Sequence, residues 1–386
     1  MVFLRASRVA RQALKATAPA FQAGSAGSVN GVPYLPHPHS LPVNGFIGAI
    51  GNTPLIRINS LSDETGCEIL GKAEFMNPGG SVKDRAALGL VQWAEKTGRI
   101  KPGGTIVEGT AGNTGIGLAH VCRARGYKCV IYMPNTQSQE KIDLLKMLGA
   151  EVYPPSPSRT LRTTTTGQPI RVRPPLPPLL LIPPDPLLLG SNFEGNRAIH
   201  ITTTGPEIWE QTRHLPGGLQ AFICATGTGG TLAGTTRALK DLSEGKVQCW
   251  LADPPGSCLE SYINRGTLDR EGGSITEGIG QGRITDNLAQ DIALVDGAIH
   301  VPDAKTIRMI YHLLDADGIY VGASTALNVV AAKELAVKLG KGSRVVTVLC
   351  DGAYRYQSRL FSKKWLESKK LLDEIPDHLQ KYVVLP

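Results

Sequence analysis

Lys83 closes the stretch Asn77-Pro78-Gly79-Gly80-Ser81-Val82 and stands where a helical pattern begins, with Ala86, Ala87, Leu90, Val91 and Ala94 on one face. The Pro-Gly-Gly turn brings the amine close to the positive end of that helix's dipole, a place that can poise it for covalent chemistry. The plainer alternative is an exposed lysine in a helix's first turn. Two further segments bear on the choice. Gly227-Thr228-Gly229-Gly230-Thr231 follows the apolar run Ala221 to Ala225. Consecutive small residues there let backbone amides approach an anion, two threonine hydroxyls add donors, and the following helix adds its dipole. A tight turn packing helix on strand is the structural alternative. The third glycine of a dinucleotide fingerprint is missing, since Leu232 occupies its place, and no lysine follows the loop as a nucleotide P-loop requires. Thr110-Ala111-Gly112-Asn113-Thr114 offers hydroxyls, an amide and backbone donors at another helix start, which suits a carboxylate.

An amine, a phosphate loop and a carboxylate loop together match pyridoxal phosphate with an amino acid. All three sit where strands give way to helices. Strands are expected at Leu55 to Ile58, Glu68 to Glu74, Thr105 to Glu108, Cys129 to Met133, Ala221 to Ala225, Val247 to Ala252 and Arg344 to Cys350. Helices are expected after Lys83, over Ile116 to Ala124, Ser138 to Leu148, from Gly205, and over Leu232 to Leu242, Lys305 to Leu314 and Ser324 to Leu339. Such alternation implies an α/β fold with a largely parallel sheet, whose ligand loops lie at the carboxyl ends of the strands. A helix and extended coil are expected after Tyr354.

The chain's 386 residues suffice for two domains with real cores. Its formal charge of +8 is held in two places: residues 1–62 carry five basic residues and no acid, and residues 154–190 carry four against Asp185. The rest is formally neutral, so a nucleic-acid surface is not expected. Seven scattered cysteines without a Cys-x-x-Cys pair read as core residues of a reducing compartment, with no metal site. Residues 1–45 carry Arg5, Arg8, Arg11 and Lys15 among apolar residues, the composition of a mitochondrial targeting leader, largely disordered; a cytosolic tail is the alternative. Residues 154–190 hold eleven of the 27 prolines, a density that predicts coil or polyproline II: an insertion, a mistranslated stretch of the gene, or a docking tract.

Across Gly51 to Tyr153 and Asn192 to Tyr356 the sequence resembles the cysteine synthase (O-acetylserine sulfhydrylase) group of pyridoxal-phosphate enzymes, relatives of cystathionine β-synthase. It is most similar to fungal mitochondrial cysteine synthases. The motifs are Ile50 to Leu55, Asn77 to Arg85, Glu108 to Ala119, Ala225 to Gly234 and Gly278 to Gly280. The resemblance implies a two-domain fold type II (tryptophan synthase β-like) enzyme, with mostly parallel sheets flanked by helices, working as a homodimer. It implies a large cofactor-binding domain from 46–76 and 194–356, a small mobile domain over 77–193 interrupted by 154–190, and a tail over 357–386. In this group the lysine matching Lys83 forms the cofactor aldimine and carries the substrate's Cα proton. Asn113 bonds the pyridoxal hydroxyl, and Thr110, Ala111, Gly112, Asn113 and Thr114 hold the substrate carboxylate. Gly227, Thr228, Gly229, Gly230 and Thr231 cradle the phosphate, and Ser324 faces the pyridine nitrogen. A neutral hydroxyl there leaves the ring a weaker electron sink, so a β-leaving group departs before transamination. The implied reaction replaces acetate of O-acetylserine by sulfide through an aminoacrylate. Cystathionine formation, cysteine desulfhydration and a catalytically impaired binding copy are the alternatives. Ala111 stands where the group has serine, Asp253 to Ser257 is closer to cystathionine β-synthase, and no glutamine stands beside Phe193.

Overall fold

The structure, a computed structural model, describes residues 27–29, 32–34, 42–110, 112–133, 139–153, 187–189 and 194–386. Its strands are β1 Gly27–Val29, β2 Val32–Tyr34, β3 Leu55–Arg57, β4 Glu68–Lys72, β5 Thr105–Gly109, β6 Lys128–Tyr132, β7 Glu151–Tyr153, β8 Leu187–Leu189, β9 Ala221–Ala225, β10 Gln248–Asp253, β11 Gly297–His300 and β12 Arg344–Val348. Within Met1–Asn44, β1 and β2 pair antiparallel, Gly27 with Tyr34 and Val29 with Val32. The other leader positions before Pro42 lie outside the described residues.

Gly45–Pro386 is one unit built on two sheets. The larger runs β11-β10-β9-β12-β4-β3, parallel throughout except for β3 against β4. All five residues of β9 are buried, because the sheet is covered on both faces. Ala221, Ile223 and Ala225 pack with the Asp303–Asp317 and Ala323–Leu339 helices. Phe222 and Cys224 point the other way, toward Ile208, Leu232 and Leu239. The period of two thus divides one apolar run between two cores.

The smaller sheet runs β7-β6-β5-β8, all parallel. Its core joins Ile106, Cys129 and Ile131 to Leu90 and Val91 of the Lys83–Lys96 helix and to Ile116 and Val121 of the Asn113–Arg125 helix. The expectation for 154–190 is corrected at its end. Leu187–Leu189, just past the last proline, pairs with Ile106, Val107 and Glu108 as an edge strand, since these three residues have the N–H groups a ladder needs. The remainder of that tract lies outside the described residues.

The helix expected to start at Gly205 starts earlier. Glu194–Ile199 continues through a π-turn, His200–Thr204, into Gly205–Thr212, and Gly205 itself has helical angles. Pro206 cannot donate an N–H to the preceding turn, and the wider π-turn accommodates that loss without ending the helix. After Leu360 the chain forms the Lys363–Ser368 helix and then, where extended coil is expected, short 3-10 turns at Leu372–Glu374 and Asp377–Tyr382. Among the described residues no helix is long and apolar enough to cross a membrane.

Candidate active site

Lys83 is the first residue of its helix and is half-buried. The turn before it folds back on Asp84: the Gly79 N–H donates to Asp84 Oδ2 at 2.6 Å, and a Cβ on Gly79 would lie 2.5 Å from Asp84 Oδ1. Gly80 has φ +84, so both glycines of the motif are required. Burial pushes the Asp84 carboxyl up to about 7, against the Gly79 hydrogen bond and the Arg355 charge.

Arg85 anchors the same turn from the other side. It is fully buried and bonds Glu74 through Nε and Nη2, both at 2.8 Å, and Glu207 at 2.6 and 2.7 Å. Lys72 adds an ion pair to Glu207 at 2.7 Å, and Thr53 and Asn77 donate to Glu74 at 2.7 and 2.8 Å. Burial works to raise the Glu207 carboxyl, yet the Arg85 and Lys72 contacts overcome it and hold the group at about 2. Every charge in this network is paired, which is the condition for burying it at all.

The glycine-threonine loop lies between β9 and the Gly230–Leu242 helix, so Gly230 and Thr231 already belong to the helix. A Cβ on Gly227 would stand 2.1 Å from the Gly278 carbonyl, and one on Gly230 would stand 2.3 Å from Asn196 Oδ1. Gly229 has φ +91. Asn196 donates to the Thr228 hydroxyl at 2.8 Å, the Thr285 hydroxyl donates to the Thr228 carbonyl at 2.9 Å, and Asn328 Oδ1 accepts from the Ala225 N–H at 2.7 Å. The loop is therefore held from outside while the first N–H groups of its helix have no intrahelical acceptor. His200 backs it, fully buried, 2.8 Å from the Thr204 hydroxyl and 3.2 Å from that of Thr231. Burial and the Arg85 charge lower His200 to about 3, so it is neutral and adds no charge to the loop.

Lys83, Thr226 to Thr231, Cys224, Ile279 and Cys350 line one cavity. An amine and a glycine-rich helix start lining the same cavity fit a phosphate-bearing aldehyde cofactor. Ser324, at the start of the Ala323–Leu339 helix, lines a second pocket with Glu277 and Tyr356 rather than the Lys83 cavity, and its link to that cavity is a hydrogen bond with the Cys350 thiol, which burial pushes up to about 12.

Asn113 begins its helix after Gly112, and the Thr110 N–H donates to the Tyr132 carbonyl at 3.0 Å. Ala111 lies outside the described residues, as do Asn192 and Phe193. The Asn113 amide reaches across to the large sheet. Nδ2 donates to Asp351 Oδ2 at 2.6 Å, and Oδ1 accepts from Arg355 at 2.5 Å. Asp351 bridges Ser81 through its backbone and accepts from the Thr325 hydroxyl at its carbonyl, 3.1 Å. It thus joins the Lys83 turn, the Asn113 helix start and the Ala323–Leu339 helix, and motif reading missed it. Its place just beyond a central parallel strand was the available signal.

Residues 47–351 match the family model described as pyridoxal-phosphate dependent enzyme. The chain is 64% identical to cysteine synthase 1 of Neurospora crassa, over 89% of each sequence. It is 38% identical to a putative mitochondrial cysteine synthase of Saccharomyces cerevisiae, over 86% of each. The structure superposes on a hydrogen sulfide-producing enzyme of Fusobacterium nucleatum with a TM-score of 0.69 and 32% identity, covering 82% of this chain and all (100%) of that one. With the lysine, the glycine cradle and the α/β architecture in agreement, the chain belongs to the pyridoxal-phosphate-dependent enzymes.

Proposed function

We propose that the protein is a cysteine synthase, replacing the acetate of O-acetyl-L-serine by sulfide. The observation that carries this reading is the one cavity that Lys83 and the Gly227–Thr231 loop both line. When bound, pyridoxal phosphate supplies the electron sink that lets a proton leave Cα and a group leave Cβ of an amino acid. Gly227, Thr228, Gly229, Gly230 and Thr231 hold its phosphate through backbone and hydroxyl donors. Lys83 would hold its aldehyde carbon and carry the Cα proton of the substrate. Thr110, Ala111, Gly112, Asn113 and Thr114 orient the substrate carboxylate, with Asn113 also serving the ring hydroxyl. Ser324 would offer the ring nitrogen a neutral hydroxyl, which would favour loss of acetate over transamination.

The two sheets correspond to a larger cofactor-binding part and a smaller part that moves over it, and the working unit is a homodimer, an assembly that light scattering tests. The acid-free basic leader supports a mitochondrial destination; a reporter fused to residues 1–45 that stayed in the cytosol would end that reading. The central experiment is to purify the protein, record its visible absorbance, and add O-acetylserine and then sulfide. Cysteine formation with a spectral change on O-acetylserine is expected. Absence of visible absorbance overturns the catalytic reading, and turnover of serine with homocysteine but not of O-acetylserine reassigns the protein as a cystathionine synthase.

A further inference from the structure

The Asn113 amide is held at both ends. Nδ2 donates to Asp351 Oδ2 at 2.6 Å and lies 3.3 Å from the Tyr356 hydroxyl, while Oδ1 accepts from Arg355 at 2.5 Å. A guanidinium can only donate and a carboxylate can only accept, so the two partners specify one of the two amide orientations. Tyr356 braces the carboxylate, its hydroxyl donating to the same Oδ2 at 2.6 Å. Asp351 is buried, and its other oxygen has no hydrogen-bond partner among the described residues. That oxygen rests where a Cβ on Gly322 would come within 2.5 Å. An unpaired buried carboxylate oxygen costs stability, so the position is not explained by stability. Burial raises the Asp351 carboxyl, while Tyr356, Asn113, Arg355 and Lys83 act to keep it ionised.

The first Nδ2 hydrogen belongs to Asp351. The Tyr356 hydroxyl, 3.3 Å from Nδ2 and 2.6 Å from the same Asp351 oxygen, lies on the side of that first hydrogen, so the second N–H points away from both groups and is free to donate elsewhere. We propose that Asp351, braced by Tyr356, is a positioning residue: it fixes the Asn113 amide so that the second N–H, and not the carbonyl, is presented to the cofactor's ring oxygen. The proposal rests on the assignment of Asn113 to that oxygen made above.

The test compares Asn113→Ala, Asp351→Asn, Tyr356→Phe and the Asn113→Ala/Asp351→Asn double variant as holoenzymes. The visible absorbance maximum of the bound cofactor is read together with kcat and KM for O-acetylserine. Asp351→Asn should move the maximum in the same direction as Asn113→Ala and lower kcat about tenfold, with KM changed less than about twofold. The double variant should show no further shift. Tyr356→Phe, which leaves the carboxylate in place, should give a smaller shift of the same sign and carries the test if Asp351→Asn does not fold. Wild-type spectrum and kcat in both Asp351→Asn and Tyr356→Phe, with Asn113→Ala altered, overturn the proposal. An unaltered spectrum in Asn113→Ala removes the Asn113 assignment and the proposal with it, while retained turnover leaves the cysteine synthase reading standing.

Discussion

Arg85 lies fork to fork on Glu207, with hydrogen bonds of 2.6 and 2.7 Å, and ties the helix that begins at Lys83 to the Gly205–Thr212 helix. Its remaining face is taken by Glu74. Arg85→Ala should therefore leave two buried carboxylates facing each other without their shared cation, a loss of about 3–5 kcal/mol. Urea unfolding measures it. Arg85→Lys keeps the charge but not the planar fork, and should recover only part of the loss. A change under about 1 kcal/mol in Arg85→Ala would show that the network is not what holds the turn.

Lys83→Ala removes the amine without touching that network. The visible absorbance of the bound cofactor should lose its lysine-dependent band, and turnover should fall by about 10²- to 10⁴-fold or more, the range for a positioned proton-transfer group. The urea midpoint should stay near that of the wild-type protein, because Lys83 is half-buried and takes no part in the ion pairs of Arg85. Persistence of the band would remove Lys83 from the reaction.

Gly227→Ala should both destabilise the fold and weaken cofactor retention, since its Cβ would stand 2.1 Å from a backbone carbonyl that cannot rotate away. Overpacking of this kind costs about 1–3 kcal/mol. Gly109→Ala is the matched control: nothing lies within 4 Å of its Cβ position. Equal thermal shifts in the two variants would contradict the cradle geometry.

Two buried groups near the lysine turn give opposite pH dependences. Asp84 is raised from 3.8 to about 7, chiefly by burial, so the stability it contributes is full below pH 3.8 and is lost as pH rises through 7. That loss is of order 4 kcal/mol at most. His200 is lowered from 6.5 to about 3, again chiefly by burial, so its contribution is full above 6.5 and is lost as pH falls toward 3. Asp84→Asn keeps an acceptor for the Gly79 N–H and removes the first dependence. Its urea midpoint should decline less than that of the wild-type protein between about pH 5 and pH 8, a window that brackets the raised Asp84 value. Parallel declines would show that Asp84 does not titrate there.

The sequence by itself determined the strand-loop-helix junctions at Lys83, Asn113 and Gly230, because glycines, hydroxyls and apolar period are local properties that act within a few residues. It also marked Ala221 to Ala225 as an apolar strand, and the structure buries all five of its residues. Three things it did not determine. The π-turn before Pro206 depends on packing that holds the helix together where proline alone predicts an end. Leu187–Leu189 becomes a strand only because β5 presents an open edge to it. Asp351, 238 residues from Asn113, acquires its meaning only when the two sheets bring β12 beside the Asn113–Arg125 helix. The reason is common to all three. Whether a carboxylate, an amide or a strand edge is satisfied depends on groups distant in the chain, and burial makes that satisfaction decisive.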